Sequence, residues 1–118
     1  MNEAELKQRT KVFALRVLKL VDALPKTTAG RAIGNQLVRS GTSVGANYRA
    51  SCRSRSKAEF VAKIGVVAEE ADESSLWMEL IMEGGLLPAG KVAQLHQEAG
   101  ELTAIFVASG RTAKQNNQ

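Results

Sequence analysis

The sequence predicts an all-α fold, an antiparallel up-and-down four-helix bundle, on three observations. Apolar residues recur at alternating steps of three and four in four separate segments, the spacing that keeps them on one face of a helix. The segments are joined by short breaks, at Pro25, before Ser56 and at Gly84-Gly85 to Pro88, so that successive helices run antiparallel. No stretch alternates apolar and polar residues as a half-buried strand does.

The first segment carries Leu6, Phe13, Val17, Leu20 and Leu24, with Thr10 filling the remaining place. It ends at Pro25, which lacks a backbone donor and disfavours helical geometry in the residue before it. The second covers about residues 28–53, with Ile33, Leu37, Gly41, Val44, Tyr48 and Cys52 on its stripe and Thr28 as its cap. Gly30, Gly34, Gly41 and Gly45 each cost about 1 kcal/mol relative to Ala in a helix interior. Either this helix breaks near Ser40-Gly41-Thr42-Ser43 or close packing compensates. At 100° per residue Gly34, Gly41 and Gly45 fall beside Leu37 and Tyr48, which favours packing.

A third segment opens on Ser56-Lys57-Ala58-Glu59, the pattern of a reciprocal capping box, and carries Phe60, Ile64, Val67, Ala71, Ser74, Met78 and Ile81 until Gly84-Gly85 stops it. The fourth follows Pro88 with Val92, Leu95, Ala99, Leu102, Phe106 and Ser109. The bundle is expected over residues 1–110, with 111–118 as a flexible polar tail. A chain of 118 residues suits one domain with a modest core. One Cys cannot form an internal bridge, the N-terminus alternates acid and base, and no stretch approaches the roughly 18 apolar residues of a bilayer span. A soluble, cytoplasmic protein with no membrane association is expected.

Charge is distributed unevenly. Residues 26–63 hold eight bases, Lys26, Arg31, Arg39, Arg49, Arg53, Arg55, Lys57 and Lys63, against the single acid Glu59. Residues 64–83 hold six acids, Glu69, Glu70, Asp72, Glu73, Glu79 and Glu83, and no base. On a helical wheel Arg31, Asn35, Arg39, Thr42, Arg49 and Arg53 fall within about 80° of one another, opposite Ile33, Leu37, Val44 and Tyr48. This arginine ridge has two readings. It is a solvated or carboxylate-paired face, in the same chain or a neighbour, or it tracks phosphates, because guanidinium forks match phosphate oxygens and aligned cations displace counterions. With Tyr48 on the apolar side and Trp77 on another helix, the ridge has no aromatic platform for stacking bases, so binding is expected to be salt-sensitive and sequence-independent.

The residues offer little for catalysis, and no enzymatic activity, metal or cofactor is expected. Glu69, Glu70 and Glu73 evoke a carboxylate di-iron site, but the only His, His96, stands three residues after Ala93 rather than after a Glu. Glu69 and Glu73 flank the apolar stripe and suit ion pairs. Cys52 reads as a small core residue and His96 as an ordinary surface or half-buried imidazole. Ser40, Thr42 and Ser43 have no His or Lys at an activating spacing, and no phosphate-binding glycine loop is present. Asn47, at the edge of the second stripe, is expected to hydrogen-bond a neighbouring helix, since an unpaired half-buried amide costs about 1 to 3 kcal/mol.

Gln36 to Ala50, with its run Arg39-Ser40-x-x-Ser43-x-x-x-Asn47, followed by Ser56-Lys57-Ala58-Glu59-Phe60 and by Ala68-Glu69-Glu70-Ala71-Asp72-Glu73-Ser74, resembles a bacterial four-helix-bundle family. That family includes the intervening-sequence proteins encoded inside some large-subunit ribosomal RNA genes and the accessory variability proteins of diversity-generating retroelements. The Leu24-Pro25 break fits the same pattern, and Glu70-Ala71 stands where relatives often carry a Gly-Ser pair. The resemblance implies a homopentamer, five bundles forming a barrel around a channel, and non-enzymatic behaviour. In the retroelement branch it implies binding to nucleic acid and to a reverse transcriptase.

The resulting expectation is a non-enzymatic oligomeric bundle that binds RNA or DNA through the second helix. Arg31, Arg39, Arg49 and Arg53 would make the phosphate contacts and Arg55, Lys57 and Lys63 would assist. Asn47, Glu69, Glu70, Glu73 and Trp77 would serve structure or the subunit interface, with Leu76 and Leu80 adding apolar surface. The alternative is a scaffold whose arginines pair with third-helix carboxylates of an adjacent subunit.

Overall fold

The fold is described here for residues 1–116, from a computed structural model. Four helices make up the chain: α1 (Glu3–Asp22), α2 (Thr28–Ser51), α3 (Lys57–Glu83) and α4 (Ala89–Gln115); there is no strand among the described residues. Local chemistry explains each boundary. Helix α1 starts with a capping box: the Asn2 side chain accepts the Glu5 N–H at 2.8 Å, and the Glu5 carboxylate accepts the Asn2 N–H at 3.4 Å. Helix α2 is capped by Thr27 rather than Thr28; its hydroxyl accepts the Gly30 N–H at 3.1 Å, while Thr28 is already in the first turn.

Ser56 caps α3 as expected, accepting the Glu59 N–H at 3.1 Å, but the reciprocal half of the box is not made. The Glu59 carboxylate is drawn to Lys63 at 3.0 Å, one turn on, and accepts the Arg55 N–H at 3.4 Å instead. Gly85 ends α3 at φ 69°, a left-handed conformation suited to glycine; Gly85 N–H donates to Met82 and Leu86 N–H to Ile81, which satisfies two terminal carbonyls. Helix α4 extends beyond the expected limit at residue 110, through Arg111 to Gln115; the last two positions of the expected tail, 117 and 118, lie outside the described residues.

Helix α2 passes through Ser40-Gly41-Thr42-Ser43 unbroken. A Cβ on Gly41 would stand 2.9 Å from both methyl groups of Val17, so the missing side chain is what lets α1 and α2 approach. The hydroxyls of Thr42 and Ser43 donate back to the carbonyls of Val38 and Arg39, each at 2.7 Å, so the polar residues of this stretch are satisfied within the helix.

Helices adjacent in sequence pack side by side, and α1 closes the ring against α4 along the thinnest seam. Phe13, Val17, Leu37, Val44, Ile64, Met78, Leu102 and Phe106 are fully buried at its centre. Across the α2–α4 diagonal the rings of Tyr48 and Phe106 meet at 5.3 Å between centroids. The thin seam is tied by Arg9, whose Nε and Nη2 grip the Glu98 carboxylate at 2.8 and 2.7 Å, with Glu101 accepting from Nη2 at 3.0 Å.

Two glycine substitutions test the packing account. Gly41→Ala must push α1 from α2 and is expected to destabilise by about 1 to 3 kcal/mol. Gly100→Ala, where an added Cβ meets nothing within 4 Å, is expected to stabilise by about 0.5 to 1 kcal/mol through helix propensity. Urea denaturation of the two variants checks both signs.

Candidate nucleic-acid interface

The ridge on α2 is present in the fold, and its members have different surroundings. Arg31, Arg39, Arg49 and Arg53 are all solvent-exposed. Arg39 is nevertheless engaged within the chain: its Nη1 pairs with Glu70 at 3.1 Å and its Nη2 with Glu73. Glu73 also accepts the Trp77 indole N–H at 3.0 Å. The cause lies in the packing of α2 on α3, where Ser74 Oγ donates to Ser40 Oγ at 2.9 Å in the buried seam. That contact brings the residues beside it, Arg39 on one helix and Glu70 and Glu73 on the other, together at the rim. Burial pushes the Glu73 carboxyl up, but hydrogen bonds from Trp77 and Arg39 outweigh it and hold the group below its ordinary 4.5.

Arg31, Arg49 and Arg53 have no ion-pair partner among the described residues. Arg31 shares a groove at the α1–α2 turn with Asp22, Lys26 and Asn35. Arg49 shares a second groove, of about 220 Å³, with Lys7, Lys11 and Thr42 near the other end of the same seam. The Arg53 guanidinium donates to the Arg49 carbonyl at 3.3 Å, which keeps it beside Arg49. Lys7 and Lys11 were not anticipated. Their i, i+4 spacing around the buried Thr10 was a legible sign that they edge the stripe of α1.

The secondary bases do not extend this face. Lys57 Nζ donates to the Lys114 carbonyl on α4 at 3.3 Å, Lys63 pairs with Glu59 on its own helix, and Arg55 is exposed in the α2–α3 connection. Asn47 does not reach a neighbouring helix: its amide donates to the Ser43 carbonyl of α2 itself at 2.9 Å, which satisfies it one turn back. Glu69 is exposed and lines a groove between α3 and α4 with Arg111 and Lys114, apart from the Arg39 cluster. His96 pairs with Glu79 across α3 and α4 at 2.9 Å, and Cys52 is half-buried at the end of α2. Among the described residues no three His, Cys, Asp or Glu side chains gather to hold a metal ion, and no helix is long and apolar enough to cross a membrane. What the arrangement offers chemically is a set of cations along the α1–α2 layer, of which Arg39 and Lys7 are paired with carboxylates, whereas Lys11, Arg31, Arg49 and Arg53 are exposed and have no such pair among the described residues.

The lowered Glu73 value has a stability consequence. A carboxyl whose folded pKa is depressed contributes stability that is present above its unfolded pKa and lost as pH falls through the folded value. Between about pH 5 and pH 3 the melting temperature is therefore expected to fall more steeply for the unmodified chain than for Glu73→Gln. Parallel slopes would show that the Arg39–Glu73–Trp77 cluster adds nothing.

The chain matches the family described as 23S rRNA-intervening sequence protein over residues 2–108. No curated protein matches it. Among solved structures it is similar to the crystal structure of a protein of unknown function of the S23 ribosomal protein family from Bacteroides thetaiotaomicron, at 25% identity and a TM-score of 0.85, with 94% of this chain and 99% of that one covered. The bundle, the capped third helix and the Arg39 to Asn47 run thus sit in a chain that belongs to the 23S rRNA-intervening sequence protein family.

Proposed function

We propose that the protein is a non-enzymatic, self-associating bundle that binds RNA or DNA through phosphate contacts from the α1–α2 face. The observation that carries this reading is that Arg31 and Arg49 project on one side of an unbroken helix and Arg53 follows in the turn after it, all exposed and with no carboxylate partner among the described residues. Unpaired cations in a row release counterions when they meet a polyanion, which favours binding without base reading. The description of the family, 23S rRNA-intervening sequence protein, supports choosing RNA and DNA as the first polyanions to try. The rival reading, a scaffold whose arginines pair with third-helix carboxylates of an adjacent subunit, gains nothing from Arg39, whose carboxylate partners belong to its own chain.

Self-association is supported by apolar surface that the bundle does not cover. Leu76 and Leu80 on α3 and Val12, Leu15 and Leu18 on α1 are each more than two-fifths exposed. The first two lie beside Glu69 and Glu83, the last three beside Arg16 and Lys19, so two unlike faces of opposite charge are available. Heterologous pairing of such faces closes into a ring when the rotation per subunit divides a full turn, and the pentamer implied by the resemblance is one such ring.

Filter binding of a mixed-sequence RNA and its DNA counterpart across a salt series tests the nucleic-acid reading. The affinity is expected to fall steeply with salt, and the triple variant Arg31→Ala, Arg49→Ala, Arg53→Ala to reduce the slope of log K against log salt by about 3. No interaction at low ionic strength, or an unchanged triple variant, overturns it. Light scattering is expected to give a mass several times that of one chain; a monomeric mass refutes the ring.

A further inference from the structure

The unpaired cations are not spread evenly along α2. With Arg39 held by Glu70 and Glu73, the ridge divides into two clusters. One is Lys26 and Arg31, with the single carboxylate Asp22 beside them. The other is Arg49 and Arg53, joined from α1 by Lys11 and by Lys7, the last of which also pairs with Glu3 at 3.0 Å. At about 1.5 Å per residue, Arg31 and Arg49 stand about 27 Å apart, and Arg53 lies in the turn beyond Arg49. The 18 positions between Arg31 and Arg49 make five whole turns, so both side chains leave the helix in the same direction.

Between the clusters the one charged residue of α2 is Arg39, already held by Glu70 and Glu73. Ala14, Thr42, Gly45 and Ala46 line the groove of the second cluster beside Lys11 and Arg49. On the α3 side the face is bounded by the Glu70 and Glu73 carboxylates around Arg39, which repel a polyanion from that flank. The aromatic side chains are withdrawn from it: Phe13 and Phe106 are fully buried, Tyr48 is nearly so, and Trp77 is turned to Glu73 on α3. A single strand gains much of its affinity from stacking on exposed rings, and this face presents none.

A rigid rod lying along the seam meets both clusters at once if its phosphates return to the same side at that interval. In a double helix each strand does so once per turn, roughly 34 Å in B-form DNA. We propose that the α1–α2 face is a two-point rest for double-stranded nucleic acid, its two cation clusters gripping backbone phosphates about one helical turn apart while the stretch between them, where Arg39 is already paired, faces a groove. This rests on the phosphate-binding reading above and adds to it the form of the ligand and the division of labour among the bases.

Fluorescence anisotropy with end-labelled probes tests it: duplexes of about 8 and about 24 base pairs in both RNA and DNA, and the single strands of the longer pair, each at several KCl concentrations. The longer duplex is expected to bind at least tenfold more tightly than its single strands. It is also expected to show a salt slope about twice that of the short duplex, which is less than a turn long and cannot present two phosphates of one strand a full turn apart. Lys26→Ala with Arg31→Ala, and separately Lys11→Ala with Arg49→Ala, should each lower the slope on the long duplex by about 2 and leave the short duplex with one binding end. Arg39→Ala should change the slope by less than about 1. Single strands bound as tightly as duplex, equal slopes on both duplex lengths, or an Arg39→Ala loss equal to that of either pair would overturn the two-point arrangement while leaving phosphate binding in place. Absence of binding to every probe removes both. Circular dichroism melts of each variant separate lost contacts from lost fold, and Lys11→Arg with Arg49→Lys, which keep the charge, are expected to retain the slope.

Discussion

The approach of α2 to its two neighbours is the constraint on which the rest of the molecule depends. On one side Gly41 leaves space that the methyl groups of Val17 fill, and on the other the hydroxyls of Ser40 and Ser74 meet in a buried hydrogen bond. Both contacts require small residues at the centre of a helix, where glycine and serine are locally unfavourable. The compensation is tertiary: close packing gains dispersion and apolar burial across two seams, and neither hydroxyl of the Ser40–Ser74 pair is left without a partner. An unbroken α2 follows, and with it Arg31 and Arg49 on one side of the same helix.

That same closeness sorts the charges. Because Ser40 sits against Ser74, Arg39 comes within reach of two carboxylates one turn apart on α3, and a residue that looks free on a helical wheel is neutralised by its own chain. Arg31 and Arg49 lie five turns apart on the side nearer α1, where the adjoining side chains are mostly neutral or cationic. The acidic helix thus serves as an edge to the basic face rather than as its general counterion. Arg9 plays a different part, joining α1 to α4 through Glu98 and Glu101 along the seam with the least packing.

Much of the architecture was legible in the chain because it is written in short-range chemistry. The periodic stripes of Leu6 to Leu24 and Val92 to Phe106, the stop at Pro25, the Ser56 cap and the Gly84-Gly85 ending depend on residues within a few turns of one another. Errors were local too: Thr27 in place of Thr28, and a Glu59 that prefers Lys63 to the cap. The candidate site was legible only as a direction on a wheel. Which arginines remain available depends on partners 31 to 34 residues away in sequence, and the contribution of Lys7 and Lys11 depends on the antiparallel alignment of α1 with α2.

By itself, then, the order of residues determined four helices, their apolar faces and the presence of a one-sided cationic ridge, because periodicity and capping act over distances a single helix spans. Tertiary structure decided that α2 stays whole, that Arg39 is paired, that Asn47 turns back on its own helix and that Arg9 ties the ring closed. Each of those outcomes is set by how closely two helices approach and in what register, a quantity that no stretch of one helix contains.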